Sequence, residues 1–189
     1  MIKEIKNYAI KYDIPIIEDD SLEYILKYIK EKNIKNILEI GSAIGYSAIN
    51  MALVHKDIKI VTIERDISRY NKALEYIKKF NLEGQITIIN DDAFNIDLKE
   101  KFDLIFIDAA KGQSIKFFNK FEKNCLKTII TDNIYFHGLT YSENIKSKNL
   151  RKLTEKIKDY VDFLNDNKEF ITKIIDVGDG LSVSSRSCL

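Results

Sequence analysis

The stretch DLIFIDAAK, residues 103–111, decides how this chain is read. Leu104, Ile105, Phe106 and Ile107 form an unbroken apolar run, which fits a strand covered on both faces. The run stops on an acid, two alanines and a lysine, and the carboxyl end of a parallel strand is where open α/β sheets keep their chemistry. Downstream, TIITDN (residues 128–133) repeats the design, a short β-branched strand ending on Asp132 and Asn133. If the two strands are neighbours, Asp108, Asp132 and Asn133 bring three oxygen ligands to one crevice. Such a set suits a hard divalent cation, and Lys111 would stand beside it.

Outward from that stretch, strands and helices alternate. Residues 2–12 suit a short helix that Pro15 closes off, and Asp19, Asp20 and Ser21 offer N-cap chemistry before the face Leu22, Ile25, Leu26, Ile29. NILEI (residues 36–40) is a first strand running into Gly41 and Gly45, followed by helical spacing through Tyr46, Ile49, Ala52 and Leu53. KIVTI (residues 59–63) is a second strand; Tyr70, Ala73, Leu74 and Ile77 then line a helix that Gly84 breaks. QITII (residues 85–89) is a third, and a helix through Ile115, Phe118, Phe121 and Cys125 separates the fourth strand from the fifth. Residues 142–164 read as a long amphipathic helix, and residues 170–177 and 181–185 flank GDG, which is hairpin chemistry. The expected fold class is α/β, a doubly wound, mostly parallel sheet with one antiparallel strand near an edge. Residues 1–189 read as a single domain, with residues 1–18 a short N-terminal helical segment.

Composition narrows the function classes. Hydrophobic residues are 45% and charged residues 31%, with one proline, which excludes disorder and a Pro-rich linker. A net charge of +1 gives no compositional case for a polyanion partner, though a local patch can still dock one. Cys125 and Cys188 have no metal-ligand spacing and are too few for a disulfide framework. No stretch approaches the ~18 apolar residues of a membrane span. A soluble protein of the cytoplasm, without a membrane partner, is expected.

The first three strands point to a ligand. The turn after the first strand is not GxGxxG, because Ala43 holds the middle position, and this departure argues against a pyrophosphate cradle. Glu39, just before the turn, suits an ammonium or amino-acid group. Glu64 ends the second strand where an acid ordinarily binds ribose hydroxyls, and Asp92 with Ala93 follow the third, within reach of an adenine amino group. Together these loops match a nucleoside carrying an amino-acid tail, such as S-adenosylmethionine. Plainer uses exist: a structural glycine pair, a solvated Glu64, and Asp132 and Asn133 as turn residues.

These motifs, ExGxxxGYS at residues 39–47, TIE at 62–64, DxxxxDAAK at 103–111, TDN at 131–133 and GDGL at 178–181, resemble those of class I methyltransferases. Within that class the chain is similar to the cation-dependent O-methyltransferases, which include the catechol and caffeoyl-CoA O-methyltransferases. The resemblance implies a Rossmann-like seven-stranded sheet with an antiparallel C-terminal strand. It also implies S-adenosylmethionine contacts at Glu39, Gly41, Gly45, Tyr46, Ser47, Glu64, Asp92, Ala93 and Asp108. Mg²⁺ or another divalent cation would be held by Asp108, Asp132 and Asn133, catalytic roles fall to Lys111 and Asp108, and a homodimer is expected. The wording IDAAKGQ and TDNIYFHGL resembles the bacterial tRNA 5-hydroxyuridine methyltransferases most, which makes tRNA the expected substrate, with 5-methoxyuridine at the wobble position as product. Two features depart from the family: only fourteen residues precede Pro15, where a longer helical region is usual, and His137 carries no role over.

Lys111 reads either as the base that takes the acceptor proton or as an electrostatic partner of the oxyanion. A small catechol-like acceptor would use the same metal site, and a non-catalytic nucleotide-binding module would leave Asp108, Lys111, Asp132 and Asn133 without a shared purpose. Lys148, Arg151, Lys152 and Lys156 give the long helix a basic stripe, either a solvated face or an RNA contact. Tyr135 and Phe136 are placed either to pack on a planar substrate or to fill the core.

Overall fold

The structure, a computed structural model, describes residues 2–142, 145 and 147–187. Cys188 lies outside them, as do residues 143, 144 and 146 of the expected long helix. The elements in chain order are α1 (Ile2–Lys11), α2 (Asp19–Glu31), β1 (Asn36–Ile40), α3 (Tyr46–Ala52), β2 (Lys59–Ile63), α4 (Ile67–Lys79) and β3 (Ile86–Ile89). They continue as β4 (Phe102–Ile107), α5 (Ser114–Phe121), β5 (Cys125–Asp132), α6 (Lys148–Asp166), β6 (Phe170–Ile175) and β7 (Leu181–Arg186).

One seven-stranded sheet runs in the order β3-β2-β1-β4-β5-β7-β6. The first five strands are parallel, and β7 lies antiparallel between β5 and β6, so the doubly wound sheet with one antiparallel strand beside the edge is what forms. All six residues of β4 are buried, and from Leu104 to Ile107 pleating sends them alternately to two cores. Leu104 and Phe106 join the core under α1–α4, while Ile105 and Ile107 join the core under α5 and α6. Each such side chain, fully buried, is worth about 1.5–3 kcal/mol. That is why the uninterrupted apolar run is a central strand and nothing else.

Two consequences of topology build the working edge of the sheet. The chain leaves β1 toward β2 and β3, then crosses back to place β4 on the other side of β1, which opens a crevice at the carboxyl ends of β1 and β4. Because β7 is antiparallel, its first residue, Leu181, pairs with Asp132, the last of β5. The 176–180 turn therefore sits at the same edge as the loops that follow the parallel strands.

Several boundaries differ from the sequence expectation. Glu18, not the Asp-Asp-Ser run, holds the N-cap position of α2; Asp19 and Asp20 fall in the first turn, where negative charge favours the helix dipole. Ser21 is buried, and its hydroxyl donates to Val177 O at 3.4 Å. Helix α4 ends at Lys79, well before Gly84; Asn81 follows its C-cap Phe80 with φ +54°, and Leu82 N–H donates back to Ile77 O at 3.0 Å. Tyr76 rather than Leu74 faces its core. Cys125 is not the end of the α5 helix but the first residue of β5, opposite Phe102, with its thiol pushed up to about 12 by burial. Helix α6 starts at Lys148, where Ser147 Oγ accepts the Leu150 N–H, and it buries Thr154, Ile157, Tyr160 and Leu164 while Leu150 stays exposed. Among the described residues no helix is long and apolar enough to cross a membrane.

Candidate active site

The turn between β1 and α3 is shaped by what its glycines allow. Gly41 has φ +95°, and a Cβ there would overlap the carbonyl oxygen of Asp108, so only glycine lets β1 and β4 converge at this point. The backbone N–H groups of Gly41 and Ser42 donate to Ile63 O at 3.0 and 3.3 Å, and that of Ala43 to Glu64 Oε2 at 2.8 Å. Three successive donors are thus committed to the protein. These three N–H groups are therefore not free to cradle a phosphate.

Glu64 lies at the end of β2, buried, with Ala43 N–H on one carboxylate oxygen and Asp66 N–H on the other at 2.8 Å. Its own carbonyl accepts Asn90 Nδ2–H at 2.8 Å, which ties the end of β2 to the loop after β3. In that loop Asp92 Oδ1 accepts the Phe94 N–H at 2.9 Å, and Phe94 stacks on Phe117 with centroids 4.5 Å apart. A cleft of about 480 Å³ opens here, lined on this side by Gly41, Glu64, Asp92, Ala93 and Phe117. Its size falls in the range of sites for small molecules and cofactors.

Glu39, Gly45, Tyr46 and Ser47 are not on the cleft wall. Strand pleating turns Glu39 away from it, onto the face that Ile37 shares with α3, and its two oxygens accept Ser47 Oγ–H and Thr62 Oγ1–H, each at 2.5 Å. Burial pushes the Glu39 carboxyl up to about 7, against the pull of those two hydrogen bonds. Tyr46 packs in the same core, and Gly45, at φ +82°, sits against Ala73 of α4. These four shape the turn from behind.

The other side of the cleft is charged. Lys111 Nζ donates to Asp108 Oδ1 at 2.6 Å, both side chains being partly exposed. Asp132, at 3% exposure, is far more enclosed. Burial first, and then the Asp108 carboxylate, push its carboxyl up to about 7 against the opposing charge of Lys111. Its Oδ1 accepts the N–H of Asn133, at 2.8 Å. Just below, Thr131 Oγ1 and Tyr160 OH share a buried hydrogen bond of 2.7 Å that pins α6 to the end of β5. Asn133, Phe136 and His137 all have positive φ, and all three line the cleft with Asp108, Lys111 and Asp132.

Asp108, Lys111, Asp132, Asn133, Gly41, Glu64, Asp92 and Ala93 therefore share one cleft. Arg65, Arg69 and Phe117 also line it without any expectation from sequence, and Pro15, expected only to close α1, lines it too. For Phe117 a signal existed, since two consecutive phenylalanines must face different ways on a helix. Among the described residues no three His, Cys, Asp or Glu side chains are arranged to hold a metal ion. A cation would need the mixed set of two carboxylates and the Asn133 amide oxygen.

The sequence profile of the O-methyltransferase family matches residues 1–187. The chain belongs to that family. A caffeoyl-CoA O-methyltransferase of Populus kitakamiensis is 28% identical to this O-methyltransferase over 93% of the chain and 78% of the relative. A Staphylococcus aureus crystal structure, provisionally described as a caffeoyl-CoA O-methyltransferase, superposes with a TM-score of 0.92 at 34% identity, covering 98% of this chain and 92% of that one. A Bacillus cereus O-methyltransferase, solved with S-adenosylhomocysteine, shares the fold at a TM-score of 0.85 and 20% identity, over 98% and 90% of the two chains. The enzyme is an S-adenosylmethionine-dependent O-methyltransferase, similar to the caffeoyl-CoA and catechol O-methyltransferases.

Proposed function

We propose that the enzyme transfers the methyl group of S-adenosylmethionine to one oxygen of a vicinal oxygen pair on a small catechol-like acceptor, with the help of a divalent cation. One observation carries this reading: Asp132 is an almost fully buried carboxylate set beside Asp108, a like-charged pair that burial alone would not tolerate. A cation offsets that repulsion, and two carboxylates with an amide oxygen are the hard donors it prefers. The residues present thus fit the group, with Asp108, Asp132 and Asn133 as the protein ligands. A bound divalent ion lowers the pKa of a hydroxyl that ligates it.

The rest of the chemistry belongs to the chain. Methyl transfer requires the acceptor oxygen in line with the sulfur, so alignment is the main contribution. Glu64 would accept the ribose hydroxyls on lone pairs left free by Ala43 and Asp66, and Ala93 with Phe117 would close on the adenine. Lys111 reaches Asp108 Oδ1, so it would stand beside an acceptor oxygen held at that carboxylate. It would take that oxygen's proton or hold the oxyanion, each a form of acid-base or electrostatic assistance. The names of the relatives, caffeoyl-CoA and catechol O-methyltransferases, support a phenolic acceptor.

A second acceptor shares the chemistry. In 5-hydroxyuridine the hydroxyl lies next to a carbonyl oxygen, which gives the same two-oxygen bite, and α6 brings basic side chains toward the cleft. A Cβ built at Gly112, next to Lys111, meets Lys156 Cδ at 3.3 Å. Lys148 and Lys152 are exposed on the same helix, whereas Arg151 is tied to Ile145 O at 2.9 Å. Incubation with labelled S-adenosylmethionine, Mg²⁺ and either a panel of catechols and monohydroxy phenols or tRNA bearing 5-hydroxyuridine separates the readings. Label on the vicinal diols alone is expected. Label on tRNA alone would move the acceptor to the second reading, and transfer to monohydroxy phenols at equal rate would remove the two-oxygen requirement.

A further inference from the structure

The GDG turn between β6 and β7 reads from sequence as a hairpin that carries the family motif GDGL, and each of its residues packs on or bonds to an element beside the cleft. Gly178, at φ +52°, lies so close to α2 that a Cβ would overlap the Ser21 hydroxyl, beside Glu18. Gly180, at φ +81°, lies under the Tyr135 ring, where a Cβ would come within 2.8 Å of Cδ2. The backbone carbonyls of Asp179 and Gly180 accept the N–H groups of Tyr135 and Ile134 at 2.8 and 3.0 Å. Between the glycines, the Asp179 side chain is buried, at 5% exposure. Its Oδ2 accepts Asn133 Nδ2–H at 3.1 Å and its Oδ1 accepts the His137 backbone N–H at 2.5 Å, with His137 Nδ1 3.7 Å from Oδ2.

An ionised carboxylate can only accept hydrogen bonds. Facing Asp179, the Asn133 amide must therefore present its NH₂, and its carbonyl oxygen is left for the cleft. The second oxygen of Asp179 anchors a backbone that needs anchoring: Phe136 and His137 hold φ of +46° and +55°, a region that residues with side chains adopt only under strain. We propose that Asp179 is a positioning residue for the acceptor side of the site. It fixes the orientation of the Asn133 amide, so that oxygen and not nitrogen faces the cation, and it holds the 136–137 segment as the acceptor wall. The inference rests on the cation reading above and adds the group that makes Asn133 a ligand.

The test is an amide flip by design. In Asp179→Asn, the new amide still accepts from His137 N–H, but it presents an NH₂ to Asn133, which must turn its own oxygen away from the cleft to meet it. In the exchanged pair, Asn133→Asp with Asp179→Asn, position 179 donates to a carboxylate and accepts from His137, and a ligand oxygen faces the cleft again. Mn²⁺ binding is measured by calorimetry in the presence of S-adenosylhomocysteine, with the S-adenosylhomocysteine Kd of each protein measured alongside. The single variant is expected to lose about ten- to hundred-fold in Mn²⁺ affinity, the exchanged pair to recover most of it, and the S-adenosylhomocysteine Kd to stay within about twofold. A single variant that binds Mn²⁺ like wild type overturns the inference. So does an exchanged pair no better than the single variant, including the case where the single variant does not fold. Wild-type protein that binds no Mn²⁺ overturns the cation reading itself, and the inference with it.

Discussion

On the β1–β3 side of the cleft, the Glu64 carboxylate takes two backbone N–H groups and the turn donors of Gly41 and Ser42 close on Ile63. On the β4–β5 side, Asp132 feels the like charges of Asp108 and Asp179 against the opposing charge of Lys111, and Asn133, Phe136 and His137 are held in left-handed backbone. The first half has its donors and acceptors paired within the protein, which leaves a few lone pairs of Glu64 to meet the nucleoside proposed there. The second half carries surplus negative charge and strained backbone, which is what the proposed cation and acceptor would offset.

If that division is right, changes in the two halves must fail differently. The largest effect belongs to Lys111→Ala, which should lower turnover by about 10² to 10⁴-fold while the S-adenosylhomocysteine Kd, read by calorimetry, stays within about twofold. Near wild-type turnover would take Lys111 out of the chemistry.

Behind the cofactor half, Glu39→Gln should change stability and its pH dependence instead of the chemistry. The Glu39 carboxyl is raised to about 7 in the folded state from 4.5. Its contribution is therefore fully present below pH 4.5 and is lost as pH rises through about 7. Urea unfolding from pH 4 to 8 should show wild type losing on the order of 3 kcal/mol relative to the variant across that window. A constant difference between the two proteins would contradict the burial of an ionisable group there. Gly41→Ala, which forces a Cβ into the Asp108 carbonyl, should cost about 1–3 kcal/mol of stability and weaken S-adenosylhomocysteine binding at the same time, since it pushes β1 and β4 apart. Unchanged binding would show that the close approach of the two strands does not matter to the cofactor.

The smallest effect is expected outside both halves. Replacing Lys148, Lys152 and Lys156 together by alanine should alter turnover on a catechol by less than about twofold, as exposed lysines contribute little to a neutral acceptor. A loss confined to tRNA as acceptor would instead give the α6 stripe a role in recognition.

How much of this was legible beforehand varies by physical cause. β1 and β2 begin and end where the periodicity of NILEI and KIVTI says they should, because burial on a pleated sheet writes itself directly into sequence. The turn of Gly41 and the acids at the ends of β2, β4 and β5 were legible for the same reason, since strand ends in a parallel sheet share one edge. Glu39 reads from sequence as a contact for an ammonium group, while the alternation of Ile37 and Glu39 puts both on the α3 face. Tertiary pairings were out of reach: Asn133 meets Asp179 from 46 residues away, and no local pattern distinguishes a hairpin GDG from one that clamps a neighbouring loop. Cys125 was drawn into a helix because its spacing from Phe121 is helical, while pairing with Phe102 made it a strand. From sequence the acceptor stays open between tRNA and a small catechol-like molecule, because the same oxygen ligands serve both.

The claim that the acceptor half awaits a cation is tested most directly by methyl transfer to a catechol at saturating S-adenosylmethionine, first with Mg²⁺, then with excess EDTA, then with Mg²⁺ restored. The account predicts that transfer stops in EDTA and returns with the metal. Transfer that continues undiminished in EDTA would contradict it.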